Sequence, residues 1–67
     1  MANTLKLPPR LWQITILLSQ GMTRKQIALE TGLSVGTIKT YIGRLYARAG
    51  AVNSADLIRI MFEAGGF

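Results

Sequence analysis

The 67-residue chain contains no Cys and no His. Their absence removes thiol nucleophiles, a histidine general base, disulfide staples and zinc sites of the Cys/His kind. Its acids are Glu30, Asp56 and Glu63. Glu30 stands far from the other two in sequence, so neither a carboxylate pair for hydrolysis nor an oxygen cage for a metal is expected. No enzymatic chemistry and no cofactor follow from such a set. What remains is charge: eight Lys and Arg give a net +5 and a pI near 10.5. A basic small domain suits a polyanion, most often nucleic acid and less often an anionic membrane surface. Placement narrows this. Arg24, Lys25, Lys39, Arg44 and Arg48 share one stretch with the single acid Glu30. Lys6 and Arg10 precede it. Arg59 stands between Asp56 and Glu63, at spacings that let both acids pair with it on a helix.

The elements that must position these cations are all helical. No run of alternating residues bounded by hairpin turns is present. The spacing predicts helices near 9–20, 24–31, 35–48 and 54–64. Pro9 suits a first helical position, and Gly21 marks the stop of the first helix, whose inward stripe is Ile14, Leu17 and Leu18. The next three helices share one start signal. Thr23 caps, Gln26 completes a capping box and Met22 can staple onto Ile27. Ser34 caps, and Leu33 can staple onto Ile38. Asn53 caps, Asp56 follows three residues on, and Val52 can staple onto Leu57. Between the second and third helices, Gly32 can take the left-handed conformation, giving a turn of about three residues as in helix-turn-helix units. Ala28 is small where those two helices must approach.

On a wheel of about 100° per residue, Ile38, Ile42, Leu45 and Ala49 form the buried stripe of the third helix, flanked by Tyr41 and Tyr46. Gly36, Thr40, Gly43 and Ala47 occupy the opposite face. Lys39 lies on one rim of that face, Arg44 and then Arg48 on the other. Small residues rimmed by cations suit a helix entering the DNA major groove, where Lys and Arg reach guanine edges or phosphates. A mid-helix Gly such as Gly43 costs about 1 kcal/mol relative to Ala, which close backbone approach to DNA would justify. Otherwise the face is merely solvated.

A chain of this length is one domain, 1–67, with residues 1–7 as an N-terminal arm and 65–67 as a tail. It buries only about 60% of its unfolded surface, so its stability is marginal. The longest uncharged run, Leu11 to Thr23, is 13 residues, short of the about 20 that a bilayer requires. No signal-peptide pattern is present, and the lack of Cys agrees with a reducing cytoplasm.

From Leu7 to about Ala64 the sequence resembles the LuxR/FixJ-type (GerE-like) helix-turn-helix domain of bacterial transcription regulators. The resemblance runs through Leu7, Pro9-Arg10, Ile14, Leu17-Leu18, Gly21, Thr23, Lys25, Ile27-Ala28, Leu33-Ser34, Thr37-Ile38-Lys39, Leu45, Arg48, Gly50, Ala55 and Leu57. It implies an all-α four-helix domain that binds double-stranded DNA, with helices two and three as the reader and helix four as the dimer contact. It places Lys39, Thr40, Gly43 and Arg44 at base-contacting positions, and Lys25, Thr37 and Tyr41 at or behind the phosphates. Arg24 and Arg48 join the phosphate set by charge. Some positions depart from the pattern: Leu11 and Gln13 replace acids, Pro8 replaces a Thr cap, Tyr41 a His, and Thr31 and Ala49 each a Leu. The chain starts at Met1 and has no room for a sensing domain, so either a stand-alone regulator of bacterial or phage type or an excised domain is expected, the Met start favouring the former.

Two apolar surpluses remain. On the fourth helix Ala55, Ile58, Met61 and Phe62 form one face and Leu57, Ile60 and Ala64 another. A second copy can cover Leu57, Ile60 and Ala64, giving a two-fold dimer on an inverted-repeat operator. Alternatively the chain ends, through Leu5 or Phe67, fold over the excess. On the first helix Leu11, Trp12 and Ile16 are a candidate surface for a protein partner. The reading is therefore sequence-specific DNA binding as a dimer for transcription regulation. The alternative is a protein-binding module that captures another regulator or a polymerase component through helix one or four.

Overall fold

The computed structural model describes residues 6–64; the expectations for most of the arm, the tail, Leu5 and Phe67 lie outside the described residues. Within them the chain forms four helices and no strand: α1 (Pro9–Ser19), α2 (Arg24–Thr31), α3 (Val35–Ala49) and α4 (Ser54–Glu63). Each boundary falls within one residue of its expected place, because each start is set locally. Thr23 Oγ1 accepts from the Gln26 amide at 3.2 Å while Gln26 Oε1 accepts from the Thr23 amide at 2.8 Å, a complete capping box. Ser34 Oγ accepts from the Thr37 amide at 3.1 Å. Asn53 Oδ1 accepts from the Asp56 amide at 2.8 Å, and the Asp56 carboxylate accepts from the Val52 amide at 3.1 Å. Pro9 opens α1 without any side-chain cap.

Gly32 carries the turn between α2 and α3. Its φ of +74° is left-handed, and its amide donates back to the Ala28 carbonyl at 2.9 Å. Thr31 stitches the same turn: its hydroxyl donates to the Ile27 carbonyl at 2.8 Å and accepts from the Leu33 amide at 3.4 Å. A Leu there would add volume but neither bond.

Helices α1 and α3 each touch the other three helices, whereas α2 and α4 do not meet. The core between them comprises Leu7, Leu11, Ile14, Ile27, Ala28, Ile38, Ile42, Leu45, Leu57 and Met61. Ile38, Ile42 and Leu45 are the inward stripe of α3, with Tyr41, Tyr46 and Ala49 half-buried beside it. Thr15 is fully buried in α1, its hydroxyl satisfied by the Leu11 carbonyl at 2.8 Å.

The packing corrects four expectations. Leu7, assigned to an arm, is buried in the core. Leu11, assigned to a partner surface, is 5% exposed, because α1 lies across α3 with Leu11 turned inward beside Ile14. Leu57, assigned to a dimer surface, is wholly buried with Met61 one turn later; that pair is the inward line of α4, and Ala55 and Phe62 are exposed. Val52 is 81% exposed and staples nothing, whereas Met22 and Leu33 pack against the core as staples should.

Candidate nucleic-acid interface

The turn at Gly32 and the Ser34 cap aim α3 so that its buried stripe locks onto α1, α2 and α4. Its opposite face is left to solvent. Gly36, Thr40, Gly43 and Ala47 are all exposed, as are Lys39, Arg44 and Arg48. An added Cβ at Gly43 would meet nothing within 4 Å, so no neighbour in the fold requires a glycine there. Thr40 is held on the face by a bond from its hydroxyl to the Gly36 carbonyl at 3.2 Å. Lys39, Thr40, Gly43 and Arg44, the residues expected from the sequence to contact bases, are therefore gathered on one open surface.

The residues expected from the sequence to meet phosphates are more dispersed. Arg24 and Lys25 are exposed in the first turn of α2. Thr37 is half-buried, and its hydroxyl accepts from Ser34 Oγ at 2.9 Å, so it is tied to the α3 cap. Tyr41 is half-buried with the Arg44 guanidinium 5.8 Å from its ring centroid, within reach of a cation–π attraction. In this conformation Arg44 leans off the front of α3 toward its Arg48 rim.

That rim borders an open cleft of about 500 Å³ between the first turn of α1 and the second half of α3, lined by Pro8, Arg10, Leu11, Tyr41, Arg44, Ala47 and Arg48. Arg10 had no assigned role in the sequence. The departure at Leu11 and Gln13 bears on it, because without acids there the first turn of α1 holds no carboxylate. The Arg10 guanidinium donates instead to Gln13 Oε1 at 2.9 Å.

Among the described residues the ion pairs belong to Arg59, which bridges Asp56 and Glu63. The Arg59 hydrogen bond, aided by the Val52 amide, holds the Asp56 carboxyl below its ordinary range, and the same acids hold the Arg59 guanidinium above its own. Among the described residues the basic face of α3 has no such counter-charge. Those residues contain no group of acids that could hold a metal ion, and no helix is long and apolar enough to cross a membrane. Of the candidate partner surface on α1, Trp12 and Ile16 are half-buried, with Trp12 packed against the core.

Comparison with known proteins agrees with this architecture. The family model for bacterial regulatory proteins of the luxR family matches residues 5–61. The response regulator Rre1 of Synechocystis sp. is 32% identical over 57 residues, which are 85% of this chain and 25% of that protein. The chain thus spans about a quarter of the length of that curated relative. No solved structure matches it. A match over nearly all of the four helices means that the chain belongs to the luxR family of bacterial regulatory proteins, whose helix-turn-helix domain binds DNA to regulate transcription and is not an enzyme.

Proposed function

We propose that this domain binds a specific double-stranded DNA sequence through α3, as a homodimer on an inverted repeat, in the bacterial cytoplasm. The observation that carries the reading is the outward face of α3: small residues at Gly36, Thr40, Gly43 and Ala47, rimmed by Lys39, Arg44 and Arg48, with no carboxylate of the described residues paired to them. A helix so trimmed fits the major groove, about 12 Å wide, and its rims reach base edges and phosphates. Lys39, Thr40, Gly43 and Arg44 meet the bases. Arg24, Lys25, Thr37, Tyr41 and Arg48 meet or support the backbone. In the dimer, Ile60 and Ala64 remain as the α4 surface, since Ile60 is half-buried and Ala64 exposed while Leu57 is enclosed in the core.

The test is selection of an operator from random duplexes, followed by titration at rising salt. Lys39→Ala should weaken the selected site by about 1–3 kcal/mol and relax specificity at one position. Arg24→Ala should weaken all duplexes alike. Unchanged operator affinity in both Lys39→Ala and Arg44→Ala proteins refutes the assignment. For the dimer, Ile60→Glu should give a folded monomer with poor operator affinity. A monomeric unmutated chain that binds single half-sites refutes that part alone.

A further inference from the structure

We propose that the cleft between the first turn of α1 and the Arg44–Arg48 rim of α3 is a second DNA contact, one that grips the phosphodiester backbone of the strand flanking the groove. The proposal deepens the DNA-binding reading and rests on it. Arg10, Arg44 and Arg48 converge on this cleft, and no carboxylate of the described residues lines it. Asp56 and Glu63 are engaged by Arg59 on α4, and Glu30 belongs to α2. The convergence of three like charges on one cleft without a counter-ion disfavours the unliganded state and favours an anion. Pro8 provides no side-chain cap and the first turn of α1 has no acid, so the positive end of that helix adds to the same field.

Geometry selects the backbone of the duplex over other anions. A helix lying in the major groove presents one rim to each strand. On α3 those rims are Lys39 on one side and Arg44 with Arg48 on the other, about 140° apart on the wheel. Arg24 of α2 shares a surface with Tyr46, which lies on the Lys39 side of α3. Arg10 of α1 shares the cleft with Tyr41, Arg44 and Arg48 on the opposite side. The cleft therefore continues the DNA-facing surface laterally, and α1 does for one strand what α2 does for the other. Each guanidinium offers five N–H donors in a planar fork that suits phosphate oxygens. Among the described residues Arg10 donates to Gln13.

The test is the salt dependence of affinity for the selected duplex between about 50 and 200 mM, measured by anisotropy on the full chain. The variants are Arg10→Gln, Arg48→Gln, both together, and Arg59→Gln as a control that removes one cation outside the cleft. Melting curves accompany each. Loss of one phosphate contact flattens the slope of log affinity against log salt by about 0.9, and a dimer on an inverted repeat loses each contact twice, so Arg10→Gln alone should flatten it by about 1.8, the double variant by about 3.6 and Arg59→Gln not at all. A folded Arg10→Gln protein with an unchanged slope overturns the proposal while leaving the reading of α3 intact. Arg10-dependent binding of an acidic peptide, with the duplex slope unchanged, overturns it in favour of a protein ligand. No duplex binding by the unmutated chain at any salt overturns both readings together.

Discussion

Ser34 opens α3 and Asn53 opens α4 in the same manner, each side-chain oxygen taking the amide three residues on. Both helices then bury one apolar line against α1. Their outer faces differ. On α4 the single cation Arg59 is spent on Asp56 and Glu63, and the rest of the exposed surface includes Phe62, 63% accessible. On α3 the outer face is trimmed to Gly, Thr and Ala, and its cations have no acidic partner within the described residues. Net charge alone does not distinguish these two surfaces. Whether a cation is already paired within its own helix decides whether it remains available to a polyanion, because a paired charge offers less field to a partner.

The largest expected effect tests whether the buried line of α3 outweighs the outer line of α4. Leu45 is fully buried and Ile60 only half-buried. Leu45→Ala should cost about 2–5 kcal/mol, enough to unfold much of so small a domain, and Ile60→Ala clearly less. Equal losses in urea melts would break the contrast. Next come the caps. Ser34→Ala and Asn53→Ala should each cost about 0.5–2 kcal/mol of stability. Only Ser34→Ala should also weaken DNA binding, because Ser34 Oγ fixes Thr37 as well as the start of α3. A matching loss of affinity in Asn53→Ala would mean that α4 shapes the reader more than its position suggests.

Gly43→Ala sharpens the comparison further. Nothing in the fold opposes a methyl group there, so the substitution should stabilise the free domain by up to about 1 kcal/mol. It should also weaken DNA binding, since the methyl group intrudes where the helix approaches the groove. Gained stability with undiminished affinity would show the face to be merely solvated. The smallest effect concerns acid. The folded Asp56 carboxyl titrates below its unfolded counterpart, chiefly because of the Arg59 hydrogen bond. Its contribution is therefore fully present above the ordinary carboxylate range and is lost as pH falls through the lowered value. Asp56→Asn should remove that acid-side dependence of the melting temperature, while Lys39→Ala should leave it in place.

Most of the fold was legible in the residues because its signals are local. Thr23 with Gln26, Ser34 with Thr37 and Asn53 with Asp56 each meet within three positions, which any helix start brings together. The stripe of Ile38, Ile42 and Leu45 follows from the helical period alone. Legibility failed where a choice depended on another helix. On α4 two apolar faces were offered by the wheel, and the inward line proved to be Leu57 with Met61, between the two. On α1, Leu11 counts with Trp12 and Ile16 as apolar surplus in the sequence, yet it is buried beside Ile14. Val52 carries the pattern of a staple, but the chain entering α4 leaves it in solvent.

The amino-acid sequence by itself determined where each helix begins, which stripe of α3 is buried, where the chain turns at Gly32 and how most of its cations concentrate on α2 and α3. These depend on backbone hydrogen bonds and side chains within about four positions of one another, and such contacts recur in any helix with those residues. Only the tertiary structure decided that Arg10 shares a cleft with Arg44 and Arg48. Those residues lie more than 30 positions apart in the chain. Their meeting depends on how Leu11 and Ile14 of α1 pack in a common core with Ile42 and Leu45 of α3. Close packing of large side chains sets that crossing, and it has no local signature that a single stretch of sequence could carry.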